Sequence, residues 1–225
     1  MRTVFSRRWA ILLAGAVAAF LGTAVAASGS SSDSCDAHQG FTLLEDSSAR
    51  VFRIDGRVLA CARPGGSVHS LSRPGPTGSS ETVNDVTLAG GFVAWKRFTV
   101  DESLQRSDHA LVVLDLKDGA SRTLAPIIGP LHAPSHFSFG DFVLNDVGTA
   151  VWLVNSSQCG NPCTVTSKLS ESRHGQSNSA LEKDTIPGPA GGPAPSPPID
   201  SLGLSRSGRF AYWIANGNVG GHQIP

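Results

Sequence analysis

From residue 41 onward the apolar residues fall into short runs of four to seven, cut by Gly and by Asp-Gly, Pro-Gly and Asn-Gly pairs. Runs of that length at regular turn spacing predict strands. No stretch keeps a helical period for more than about two turns, so little helix is expected. One hairpin pattern recurs. Val51–Ile54 leads through Asp55-Gly56-Arg57 into Val58–Cys61, and Val86-Thr87-Leu88 leads through Ala89-Gly90-Gly91 into Phe92–Trp95. A third copy joins Phe142-Val143-Leu144 to Ala150–Leu153, and a fourth joins Ser201–Leu204 to Phe210–Trp213. The anchoring glycines Gly56, Gly90, Gly148 and Gly208 are 34, 58 and 60 residues apart. A tight hairpin needs a positive φ angle, which a Cβ atom penalises.

A further hairpin follows the second copy, with Ala110–Leu116 as strand, Lys117-Asp118-Gly119 as turn and Ser121–Leu124 as return. The polar stretch from Lys96 to Asp108 before it is expected to be a loop with a mobile tip, and Cys163–Lys168 to complete the third copy. A single such unit cannot bury both of its faces, so neighbouring units must supply the core. The expected fold class is therefore all-β: propeller-like stacked antiparallel sheets, about four blades, some incomplete, with ring closure left open. Residues 41–169 and 199–220 form the β-repeat domain in this reading. Residues 170–198 break the pattern, because Glu171 to Asp184 is polar and Ile186 to Pro198 holds six of the fourteen prolines with three glycines. Proline removes ladder donors, so a connecting loop with polyproline character is expected there.

The N-terminus changes the picture of the compartment. Arg2, Arg7 and Arg8 precede an uncharged apolar run from Trp9 to about Ala27, and Ala24-Val25-Ala26 reads as a cleavage triplet. Residues 1–26 are thus expected to be a signal peptide, and 27–40 a flexible leader after cleavage. The alternative is a membrane anchor, since about 18 apolar residues can span a bilayer; the small-residue exit favours cleavage, with no stable membrane insertion afterwards. Ser6-Arg7-Arg8 leaves the twin-arginine route open beside ordinary secretion. The whole chain balances 18 basic against 18 acidic residues. Without residues 1–26 it carries 15 basic and 18 acidic residues, a mildly acidic domain without the electrostatic footprint of a nucleic-acid binder.

Four cysteines follow the leader: Cys35, Cys61, Cys159 and Cys163. An even count in an oxidising compartment favours two disulfides, for which three pairings exist. The favoured one joins Cys35 to Cys61 and closes the short Gly160-Asn161-Pro162 turn with Cys159 and Cys163. A zinc site would need two closely spaced pairs, and the chain has one. No metal or other cofactor is expected.

Val112-Val113-Leu114-Asp115-Leu116-Lys117-Asp118-Gly119 and Gly208-Arg209-Phe210-Ala211-Tyr212-Trp213 resemble blades of secreted bacterial TolB-like or WD-repeat-like β-propellers. Together with the export signal and the cysteine in the first repeat, they make the chain similar to exported actinobacterial proteins of this type over roughly residues 41–220. The resemblance implies a fold and a location outside the cytoplasm. It implies no single activity and transfers no functional residue.

Candidate chemistry is sparse. His132 and His136 have the spacing of helical metal ligands, but Pro130 and Pro134 remove the helix. His69 alternates with apolar positions and is expected to face solvent. Gly65-Gly66-Ser67 lacks the trailing glycine and the helix of a serine-hydrolase elbow. Asp55, Asp115, Asp118, Asp146 and Asp200 flank turns, where Asp is favoured for bonding nearby backbone N–H groups. Trp95, Trp152 and Trp213 fall at equivalent repeat positions and are expected to fill the space between neighbouring sheets, the alternative being a sugar-stacking row. The functional expectation is an exported, non-enzymatic module that binds a protein or a glycan. A hydrolase with carboxylates from separate blades and a structural envelope protein are the alternatives.

Overall fold

In the computed structural model the described residues are 35, 38–72, 79–130, 135–174, 176 and 178–225. The expected signal peptide, most of the leader, His132 and Pro134 lie outside them. All described residues belong to the compact unit Ser31–Pro225. They form four antiparallel meanders in chain order. The first sheet is β1 (Phe41–Glu45), β2 (Ala49–Ile54), β3 (Arg57–Ala62) and β4 (Val68–Ser70); the second is β5 (Ser79–Ala89), β6 (Phe92–Asp101), β7 (Arg106–Asp115) and β8 (Ser121–Pro130). The third is β9 (Ser135–Leu144), β10 (Ala150–Gln158), β11 (Thr164–Ser172) and β12 (Ser179–Pro187). The fourth has three strands: β13 (Ile199–Leu204), β14 (Phe210–Ala215) and β15 (Asn218–Gln223).

Turn chemistry sets these hairpins. Ile54 pairs with Arg57, leaving Asp55 and Gly56 at φ 48° and 77°, the doubly positive turn that suits the twist of flanking strands. Gly90, Gly148 and Gly208 likewise have φ of 57°, 78° and 70°. The frame of the repeat shifts, however. Copy one is the second and third strands of its sheet, whereas the other copies are the first and second strands of theirs.

Continuous apolar runs form the centres of the strands because consecutive residues are buried in opposite directions. Val93 and Trp95 pack with Val51, Val58 and Ala60 of the first sheet, while Ala94 between them packs with Trp152 and Leu144 of the third. In the third sheet Ala150 and Trp152 face back to the second, and Val151 and Leu153 face forward to Ala211 and Trp213 of the fourth. Trp95, Trp152 and Trp213 are 4%, 2% and 6% exposed, each in a different inter-sheet core. The first strands β1, β5, β9 and β13 approach one another in succession, as blades do around an axis. Among the described residues the sheets form no closed barrel, and their stacking is propeller-like and incomplete.

The two ends of the stack differ. On the free face of the first sheet, Phe52 and Cys61 are fully buried with Cys35. Cys35 and Cys61 are disulfide-bonded, their Cα atoms 5.5 Å apart. The His38 ring stacks on Phe52, and Arg50 lies over the same ring while donating to Thr42 Oγ1 and to the His38 and Gly40 carbonyls. Cys159 and Cys163 form the second pair, Cα atoms 4.0 Å apart. Two such pairs fit an oxidising environment outside the cytoplasm.

Two expectations need correction. Residues 170–198 are not one loop: β11 runs to Ser172, and β12 pairs with it from Ser179 to Pro187. β12 is an edge strand, and an edge at the rim can be polar on both faces, so its composition hides it. Only 188–198 are the Pro-rich connector to β13. Similarly, Lys96–Asp101 and Arg106–Asp108 extend β6 and β7, leaving a short turn in which Asp101 accepts hydrogen bonds from Ser103 Oγ and Leu104 N.

Trp152→Ala is expected to cost about 3–5 kcal/mol in urea unfolding, the range for truncating a buried large aromatic. Gly148→Ala should be more destabilising than Gly56→Ala. Both have positive φ, but a Cβ at Gly148 would lie 2.6 Å from the Phe92 ring, whereas the space at Gly56 is open.

Candidate ligand-binding clefts

β6 and β7 are longer than the core that covers them. Beyond Trp95 the apolar run gives way to alternation, so Lys96 and Phe98 face the third sheet and Arg97 faces the first. Phe98 pairs directly with His109, and their ring centroids are 4.4 Å apart. From the third sheet, β9 brings Phe137 and Phe139 to the same hollow, a cleft of about 500 Å³ with Asn84, Asp85, Lys96, Arg97 and Ser138 around it. A β-bulge makes part of this rim. The ladder shifts between Asn84 and Thr87, and Asp85 there has φ 49°, so its carboxylate reaches Lys96 Nζ at 2.7 Å.

Phe137, 45% exposed, also borders a second hollow of about 300 Å³ along the third sheet, lined by Ser156, Ser157, Gln158, Thr164 and Thr166. Ser156 pairs with Phe137 and with Thr166, which places all three on one face. The two hollows thus adjoin at Phe137, one lined by aromatic rings and the other rich in hydroxyls.

Burial lowers the His109 pKa below its ordinary 6.5, and the Asp108 carboxylate opposes the shift only in part. The neutral imidazole thus presents both a donor and an acceptor to the cleft near neutral pH.

A third hollow, of about 340 Å³, lies between the first and second sheets. Here the expectation for His69 is overturned. β4 pairs His69 with Ala60, whose side chain faces the second sheet, so the imidazole is half-buried and its Cε1 rests where a Cβ on Gly119 would be. Its Nε2 and the Trp95 Nε1 are buried without hydrogen-bond partners.

The carboxylates between the third and fourth sheets are engaged in holding them. Glu171, 3% exposed, meets Arg173 Nε at 2.8 Å and lies 3.3 Å from His222 Nε2, and Glu182 accepts from Trp213 Nε1. Among the described residues no three His, Cys, Asp or Glu side chains gather at metal-binding distance. His174 sits edge-on to Phe92, and His136 lies on β9 opposite Ser157.

The groove residues Phe98, His109, Phe137 and Phe139 are absent from the candidates read along the chain. The alternation of Lys96-Arg97-Phe98-Thr99 was the available signal for the strand. The meeting with Phe137 depends on the stacking of two sheets. Comparison of the chain with protein-family models, with curated proteins and with solved structures finds no match.

The sign of the His109 shift sets a pH effect. With its folded pKa lowered, the unfolded chain binds more protons below about 6.5, so the contribution to stability is complete above that pH and is lost as pH falls through the folded pKa. Between pH 7 and 5, the melting temperature of the native protein should fall more than that of His109→Phe, and an NMR titration should find the His109 midpoint below 6.5.

Proposed function

We propose that the chain is an exported β-repeat binding module of the TolB-like or WD-repeat-like kind whose ligand is a glycan. The observation that carries this reading is the groove between the second and third sheets, with Phe98, Phe137 and Phe139 beside Asn84, Asp85, Lys96 and Ser138. A pyranose has an apolar C–H face and a rim of hydroxyls. Ring faces suit the first, and amide, carboxylate and ammonium groups suit the second. The adjoining hollow past Phe137, lined by hydroxyls of β10 and β11, would suit a second sugar unit. Export is supported by the basic-apolar-small sequence of residues 1–26 and by the two cysteine pairs.

A hydrolase reading needs two carboxylates converging on one bond. Asp85 is the one carboxylate among the residues lining this cleft, and it is paired with Lys96.

The test is a glycan array probed with the exported protein, followed by titration of the best binder. Phe137→Ala should weaken binding about tenfold, as expected for loss of a stacked ring. Leu104→Ala, at an exposed position on the β6–β7 tip, should leave it unchanged. An array without a binder, or binding indifferent to Phe137, contradicts the glycan reading.

A further inference from the structure

We propose that the outer face of the fourth sheet is a two-fold interface that joins two copies of this chain. Alternation along β14 puts Ala211 and Trp213 against the third sheet and turns Phe210, Tyr212 and Ile214 the other way. In the second and third sheets the residues that face forward, such as Ala94 and Leu153, are buried under the next sheet. Their counterparts in the fourth sheet are bare: Phe210 is 49% exposed, Tyr212 48%, Ile214 41%, and Val219 on β15 79%.

The registers fill in the rest of this face. Opposite Ile214 and Tyr212 on β13 stand Ser201 and Gly203, and opposite Phe210, Tyr212 and Ile214 on β15 stand Gln223, Gly221 and Val219. None of these positions carries a charge. A monomer at ease in water guards such a face and such an edge with charged side chains.

Three observations identify the occupant as a second copy. First, the face continues an established stacking: three successive sheet-on-sheet contacts already run in this direction. Second, the other end of the stack is closed. Phe52 and Cys61 are fully buried beneath the Cys35 segment, so the first sheet of another molecule offers no complementary face. Head-to-tail addition is thereby blocked, and the interface must be isologous, fourth sheet on fourth sheet.

Third, the face complements itself. The Tyr212 ring leans over Gly203, where a Cβ would meet it, while no side chain covers Gly221. That arrangement leaves a ridge beside a trough. Rotation about an axis through Tyr212, in the plane of the face and along the strands, sets one copy's ridge over the partner's trough. A standard interface covers about 800 Å² on each partner, which needs most of this sheet face rather than a corner of it.

Analytical ultracentrifugation of the exported full chain at concentrations above about 1 µM is the test. A dimer is expected. Val219→Glu, at the most exposed of these positions, should raise the dimer dissociation constant at least tenfold, with circular dichroism and urea midpoint unchanged. A wild-type protein that sediments as a monomer overturns the proposal. So does a dimer indifferent to Val219→Glu, or one in which a different protein is required to cover this face.

Discussion

The fold depends on burial of both faces of each inner sheet. Val93, Ala94 and Trp95 are three consecutive residues with at most 4% exposure, and they belong to two different cores. A free sheet would leave one of those cores in water at roughly 25 cal/mol for each Å² of apolar surface. No single meander can meet that cost, so each sheet is stable because its neighbours are present. The tryptophans serve this packing directly, one at each of the three junctions.

Stacking also creates the clefts. The cores occupy only the inner halves of the long strands, and past Trp95 and Val154 the sheets continue without filling the space between them. The uncovered stretch of β6 and β7 faces the uncovered stretch of β9. Aromatic rings from both sides then meet without closing the gap. The bulge at Asp85 adds a charged pair to the rim, because two residues there oppose one on β6. The site is therefore a consequence of strand length beyond the core. At the ends of the stack the same logic gives different outcomes: a disulfide-tethered segment covers Phe52, and nothing within the described residues covers Tyr212.

Much of this architecture is legible along the chain. Turn glycines mark Gly56, Gly90, Gly148 and Gly208, and short uninterrupted apolar runs announce strands with two buried faces. β12 escapes because an edge strand such as Leu181-Glu182-Lys183-Asp184 carries no apolar periodicity. The extensions of β6 and β7 escape for the related reason that Lys96-Arg97-Phe98-Thr99 and Arg106-Ser107-Asp108 look polar on average. His69 is misread because its facing follows from pairing with Ala60, and β4 is too short to reveal its own alternation. The groove is the least legible element. Phe98 and Phe137 are brought together by sheet-on-sheet packing, and a register shift of one residue would turn either ring away.

Hydrogen exchange in a Trp95→Ala variant tests mutual support between sheets most directly. Trp95 belongs to the second sheet, but its side chain is buried against the first. If neighbours hold one another up, amides of β2 and β3 should lose protection together with those of β6 and β7, by a similar free energy. Loss confined to β6 and β7, with β2 and β3 as protected as in the native protein, would contradict it.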